Sequence, residues 1–81
     1  MNVEFTRLED DMIQFEYTDF NGEVYGIADT LENGSVVDTL VVSTKTYDEV
    51  EDSELFKRIV TARKAYVDKN IHIQNAISTF V

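Results

Sequence analysis

Hydrophobic and polar residues alternate through the first half of the chain, and the period changes near Thr46. Val3-Glu4-Phe5-Thr6-Arg7-Leu8 reads as a strand, with Glu9-Asp10-Asp11 as the polar turn that ends it. Ile13, Phe15 and Tyr17 alternate with Gln14, Glu16 and Thr18, the period of a half-buried strand. Asn21-Gly22 follows. Both residues tolerate the positive φ of a type I′ turn, so a hairpin is expected there. Residues 24–31 form the third strand, in which Gly26 marks either a bulge or a close backbone approach. Glu32-Asn33-Gly34 is a second turn, and residues 36–43, rich in β-branched side chains, are the fourth strand. Short connections throughout favour a single antiparallel meander.

From Thr46 the signals are helical. Thr46-Tyr47-Asp48-Glu49 and Asp48-Glu49-Val50-Glu51 both fit a capping box, and Asp52-Ser53 offers a later start. At 100° per residue, Leu55, Phe56, Ile59, Val60, Ala62, Tyr66 and Val67 share one half of the helix. Lys57, Arg58, Thr61, Lys64, Asp68 and Lys69 share the other. Ile71, Ile73, Ile77, Phe80 and Val81 continue the apolar half, and with no proline anywhere the helix is expected to run nearly to the end. The alternative stops it at Asn70, as a left-handed C-cap, and makes residues 71–74 a short strand. The expected fold class is α+β: a four-stranded antiparallel meander followed by a long C-terminal amphipathic helix packed on one face. One domain spans residues 1–81, with the sheet in 1–45 and a mainly helical part in 46–81.

Charge changes the picture more than composition does. The chain carries a formal −9, and residues 1–54 hold fifteen of its sixteen carboxylates with only Arg7 and Lys45 as bases. Residues 55–81 hold five bases and Asp68 alone. Part of this sorting suits a helix dipole, with five carboxylates between Asp48 and Glu54 and cations toward the C-terminus. The net charge argues against direct binding to nucleic acid, which needs cations to displace counterions from phosphates. It favours a basic protein surface as partner, above all that of a nucleic-acid-binding protein. The first residues lack the basic start and apolar run of a signal peptide, and no segment has the apolar length of a membrane span. Together with the absence of cysteine, this points to a cytoplasmic protein without a membrane partner.

Catalytic chemistry is sparse. His72 is the only histidine, so a zinc or other transition-metal site within the chain lacks ligands. Asp19-Phe20-Asn21-Gly22-Glu23 resembles a fragment of a calcium loop, but the full ligand spacing is missing. No glycine-rich phosphate loop or nucleophile elbow is present. Neither a catalytic role nor a cofactor is expected.

Two features stand out as interaction sites. Arg63 sits in the apolar half of the helix, where its head must either reach a carboxylate on the sheet or anchor a partner chain. The second is the sheet face turned away from the helix, carrying Glu4, Thr6, Gln14, Glu16 and Thr18, with Asp19, Glu23 and Asp29 near its ends. The expected partner-binding residues are Glu4, Glu16, Tyr47, Asp48, Glu49, Glu51, Asp52 and Arg63. In size, acidity and lack of cysteine the chain resembles phage-encoded inhibitors of host defence, such as anti-CRISPR or anti-restriction proteins. That resemblance implies occupation of a basic, nucleic-acid-binding surface. The alternative is a homodimer, with the acidic sheet of one subunit against the basic helix of another and the apolar helix end buried across a two-fold axis.

Overall fold

Three tight turns fold the first half onto itself. A computed structural model describes residues 2–78 and gives strands β1 (Asn2–Glu9), β2 (Met12–Thr18), β3 (Val24–Glu32) and β4 (Ser35–Ser43). They form one antiparallel sheet in the order β1-β2-β3-β4. Helices α1 (Ser53–Asp68) and α2 (Ile71–Ser78) follow, and α1 lies against β1 and β2. The α+β meander is as the alternation requires. Among the described residues no helix is long and apolar enough to cross a membrane.

The turns sort themselves by φ. Asn33 and Gly34 both take positive φ, at 55° and 79°, so the type I′ hairpin falls between β3 and β4. Between β2 and β3 only Gly22 is left-handed, and the Gly22 amide donates to the Asp19 carbonyl. The Asp19 carboxylate accepts from the amides of Asn21 and Glu23, each at 2.9 Å, which selects an Asp-led turn over the expected type I′ form.

The inner face of the sheet carries the core. Ile13, Phe15, Tyr17, Ile27, Leu31 and Val41 are buried there with Ile59 of α1 and Ile73 of α2. Phe5, Phe15 and Tyr66 stack edge to face with centroids 6.2 and 6.0 Å apart. The Phe5 amide donates to the Tyr66 hydroxyl, which ties α1 to β1. A register shift between Phe5 and Arg7 makes Thr6 the extra residue of a bulge. That shift places Leu8, rather than Arg7, in phase with Val3 and Phe5 and opposite Ile13.

The helical part is two helices, not one. Asp52 is the N-cap of α1, its carboxylate accepting from the amides of Glu54 and Leu55 at 3.0 and 3.2 Å. At the break, the Asn70 side chain accepts from the Ile73 amide as a cap for α2. The Gln74 amide group donates to the carbonyls of Val67 and Asp68, closing the end of α1. Asn70 thus ends one helix and starts the next, and residues 71–74 are helical. Phe80 and Val81, expected on the apolar half, lie outside the described residues.

The outer edge of β4 is partly covered. Residues 48–50 pair there through a Val42–Glu49 bridge, the Ser43 amide donating to the Asp48 carbonyl and the Val50 amide to that of Val41. Further along, a bulge at Val37 interrupts the pairing with β3, and the Asp38 carboxylate accepts from the Thr39 amide at 3.0 Å. By alternation with Ser43, this amide faces the free edge, so Asp38 occupies a donor that another strand would need. Asp38→Val is expected to expose a continuous Val36–Leu40 edge and to give concentration-dependent self-association in sedimentation velocity; a variant as monodisperse as the parent would contradict this.

Candidate acidic interface

Strand parity decides which side chains share the outer face. Cross-strand partners point the same way, so one row runs Glu4, Glu16, Gly26, Val42 and, through the bridge, Glu49. Four strand spacings separate its ends, roughly 19 Å. A parallel row runs Arg7, Gln14, Ala28, Leu40, and a third runs Glu9, Met12, Thr30, Asp38. Acidic residues therefore flank this face on both sides, and small or apolar residues fill its middle. Its base is Arg7, which is paired with Glu9. Both helices lie on the other side of the sheet.

Glu4 and Glu16 are direct register partners, and both are exposed. Like charges placed opposite each other oppose pairing by up to ~1 kcal/mol. Among the described residues no cation is within ion-pair distance of either one. Sequence reasoning had both on this face but not their direct opposition, which depends on register.

The segment between β4 and α1 holds the other acids. Only Asp52, as cap, and Glu54, in the first turn, belong to the helix terminus; Asp48, Glu49 and Glu51 precede it, exposed. The last turn of α1 has no base within it, and Lys69 as C-cap is the one cation at that end. Dipole matching therefore accounts for less of the charge sorting than the sequence suggests.

Tyr47 stands in this segment with φ 63° and 81% of its surface exposed. Its amide donates to the Ser43 carbonyl at 2.8 Å, closing one turn that ends in a left-handed residue. Glycine or asparagine normally fills such a position, and an L-residue raises the energy by about 1–2 kcal/mol. Phe20, 84% exposed at the β2–β3 turn, is a second displayed aromatic. The two turns are linked: the Thr44 amide and hydroxyl donate to the Val24 carbonyl, and Lys45 pairs with Glu23 at 3.5 Å. Tyr25 lies near this end, and its hydroxyl is held above its ordinary pKa by burial first, then by Asp19 and Glu23. Phe20 was missed because a polar turn context hides a lone aromatic.

Arg63 and Asp29 depart from this surface. Arg63, one of the expected partner-binding residues, turns inward: its guanidinium lies 3.4 Å from the Asp29 carboxylate, with 13% of the side chain exposed. Asp29 is not on the acidic face but buried among core residues, 1% exposed. This corrects the expectation that Asp29 lies near the end of the acidic face: it shares the parity of Ile27 and Leu31, the local signal that turns it inward. The Thr39 hydroxyl donates to Asp29 at 2.6 Å, and Arg63 donates to the Thr39 oxygen at 3.4 Å. Burial pushes the Asp29 pKa up, opposed by the Thr39 hydrogen bond and the Arg63 charge. One Asp29 oxygen and the Arg63 Nε have no hydrogen-bond partner. The cluster therefore fixes how α1 sits on the sheet and serves as an internal lock. Its members are not free to meet a partner.

No group of histidine, cysteine or acidic residues among those described could hold a metal ion. Two outcomes follow from this geometry. Arg63→Met should destabilise the fold by ~3 kcal/mol in urea titration, because it strands a buried carboxylate, while Arg63→Met with Asp29→Val should recover most of the loss. Tyr47→Gly should raise stability by up to ~1 kcal/mol in the same assay, whereas a loss would show that the ring packs on its own chain. Compared with family models, curated proteins and solved structures, the chain matches none.

Proposed function

We propose that this is a non-catalytic interaction protein of the cytoplasm whose outer sheet face and 47–52 segment occupy a basic surface on another protein. A nucleic-acid-binding protein is the partner class, as with the phage-encoded inhibitors that the chain resembles in size and acidity. The observation that carries this reading is the row Glu4-Glu16-Gly26-Val42-Glu49, which crosses an uncovered sheet face with carboxylates at both ends. Two of its acids sit opposite each other without a cation, an arrangement that a basic partner would relieve. The adjacent Asp48 and Glu51 extend the negative field, and Tyr47 offers a rigid aromatic contact.

The mechanism is competition. Lysines and arginines that otherwise hold phosphates meet these carboxylates instead. Opposite charge speeds encounter, while the apolar middle of the face and Tyr47 set the lifetime of the complex. Self-association fits the geometry less well. The exposed bases of α1 face away from the sheet, on the side opposite the acidic face. A contact between the two is head-to-tail, and such contacts build rings or filaments rather than two-fold dimers.

The test is affinity capture from nuclease-treated bacterial lysate with stepped salt elution, run beside a Glu4→Lys/Glu16→Lys/Glu49→Lys variant of verified melting temperature. The expected result is recovery of a nucleic-acid-binding protein that DNA or RNA competes off and that the variant fails to retain. Equal retention by both proteins would overturn the reading.

A further inference from the structure

Gly26 lies in mid-strand, where glycine weakens a sheet and needs a reason. Three ordinary reasons do not apply. Its φ is not left-handed, since the positive-φ glycines are Gly22 and Gly34. It is not at a bulge, because β3 keeps register with β2 through Val24–Thr30 and with β4 from Tyr25 to Thr30. Nor does its own chain demand the space: a Cβ there would lie 3.6 Å from a Val42 methyl and 4.0 Å from a Thr44 methyl, ordinary contact distances. What remains is close approach of another molecule to bare backbone.

The surroundings say what kind. Gly26 and Ala28 floor a depression of about 190 Å³ in the outer face. Leu40 and Val42 wall it on one side, and Thr6, Gln14 and Glu16 stand on the other; Glu4, outside the lining, is the register partner of Glu16 on the next strand. Small-molecule sites run to about 300–1,000 Å³, so this space suits a single side chain rather than a free ligand. An apolar floor beside two adjacent carboxylates calls for an aliphatic stem ending in a planar cation with several donors. Arginine has that form, and its fork can engage both carboxylates where a lysine ammonium offers only a point charge.

We infer that the depression over Gly26 and Ala28 is the seat for one arginine side chain of the basic partner, its stem on Leu40 and Val42 and its guanidinium between Glu4 and Glu16. This rests on the proposed acidic interface and assigns its central contact. Glu4 and Glu16 are then opposed because the pair is completed by a third, cationic group from outside.

The test is titration of the isotope-labelled protein with a short peptide carrying one arginine, and with its neutral citrulline counterpart, followed by amide shifts in NMR spectra. The arginine peptide is expected to move Glu16, Gly26, Ala28 and Val42, and the citrulline peptide to leave them in place. Gly26→Val should weaken the arginine peptide about tenfold, as should Glu16→Gln, the loss of one charge-assisted hydrogen bond. Melting temperature should stay level or rise in Gly26→Val; Gly26→Ala, whose single methyl meets only ordinary contacts, serves as the milder variant. Shifts confined to residues 47–52 would overturn the seat and leave the acidic interface standing. No arginine-dependent shift anywhere would overturn both.

Discussion

One sheet and two short helices provide a core on one side only, and the rest of the structure depends on that constraint. The chain buries Ile13, Phe15, Tyr17, Ile27, Leu31 and Val41 against Ile59 and Ile73, and among the described residues no other element packs on the opposite face. A domain of this size hides only about 60% of its unfolded surface. The outer face must therefore stay hydrated, and acidic flanks do that while leaving Leu40 exposed and Met12, Val24 and Val42 half-buried. Solubility explains the carboxylates in number. It does not explain their position in a row with an apolar centre.

The arrangement of charge separates into two parts with different roles. Asp29 and Arg63 are withdrawn from water and hold each other through Thr39, an arrangement that a hydrophobic pair could match in stability. What it contributes is orientation: α1 can cross the sheet in one way that brings Arg63 to Asp29. Glu4 and Glu16 are the reverse case. They are exposed, adjacent and unpaired, so within the chain they oppose folding. Tyr47 and Gly26 belong with them, since each is a locally unfavourable choice: Tyr47 holds a positive φ with its ring exposed, and Gly26 sits in mid-strand with room for a Cβ. Four such choices within or beside one face are what the proposed contact with another molecule would account for.

Much of the fold was legible because its signals are local. Alternation places β1 and β2, β-branched content places β4, and both Asn-Gly pairs mark turns, although the type I′ form expected at Asn21-Gly22 falls at Asn33-Gly34. The bulge at Thr6 is visible in retrospect, since Leu8 is out of phase with Val3 and Phe5 unless one residue is inserted. The helix break coincides with the alternative end at Asn70, but it is neither left-handed nor followed by a strand, and Ile71, Ile73 and Ile77 keep the helical period across it. What interrupts the helix is side-chain capping by Asn70 and Gln74, which leaves no mark on periodicity. The site was legible in its membership more than its geometry. Exposure of Glu4 and Glu16 follows from parity, but their opposition is a matter of register. Glu49 joins the row only because residues 48–50 pair with β4 instead of entering the helix, a choice made by Asp52 as the stronger cap.

The same pairing protects the sheet from itself. An acidic face alone does not prevent strand addition at β4, whose Val36 and Val37 are exposed and β-branched. Residues 48–50 close one part of that edge, and the bulge and Asp38 close the rest. On β1 the Phe5 amide is taken by Tyr66 of α1 and a bulge follows at Thr6, so both edges are partly occupied or interrupted and the outer face is the broader surface left open. Recognition through a face rather than an edge depends on side chains, and here those side chains are carboxylates around a small apolar floor. Under the proposed function, partner choice would rest on cation placement, because a partner that lacks a cation opposite Glu4 and Glu16 would leave their repulsion in place.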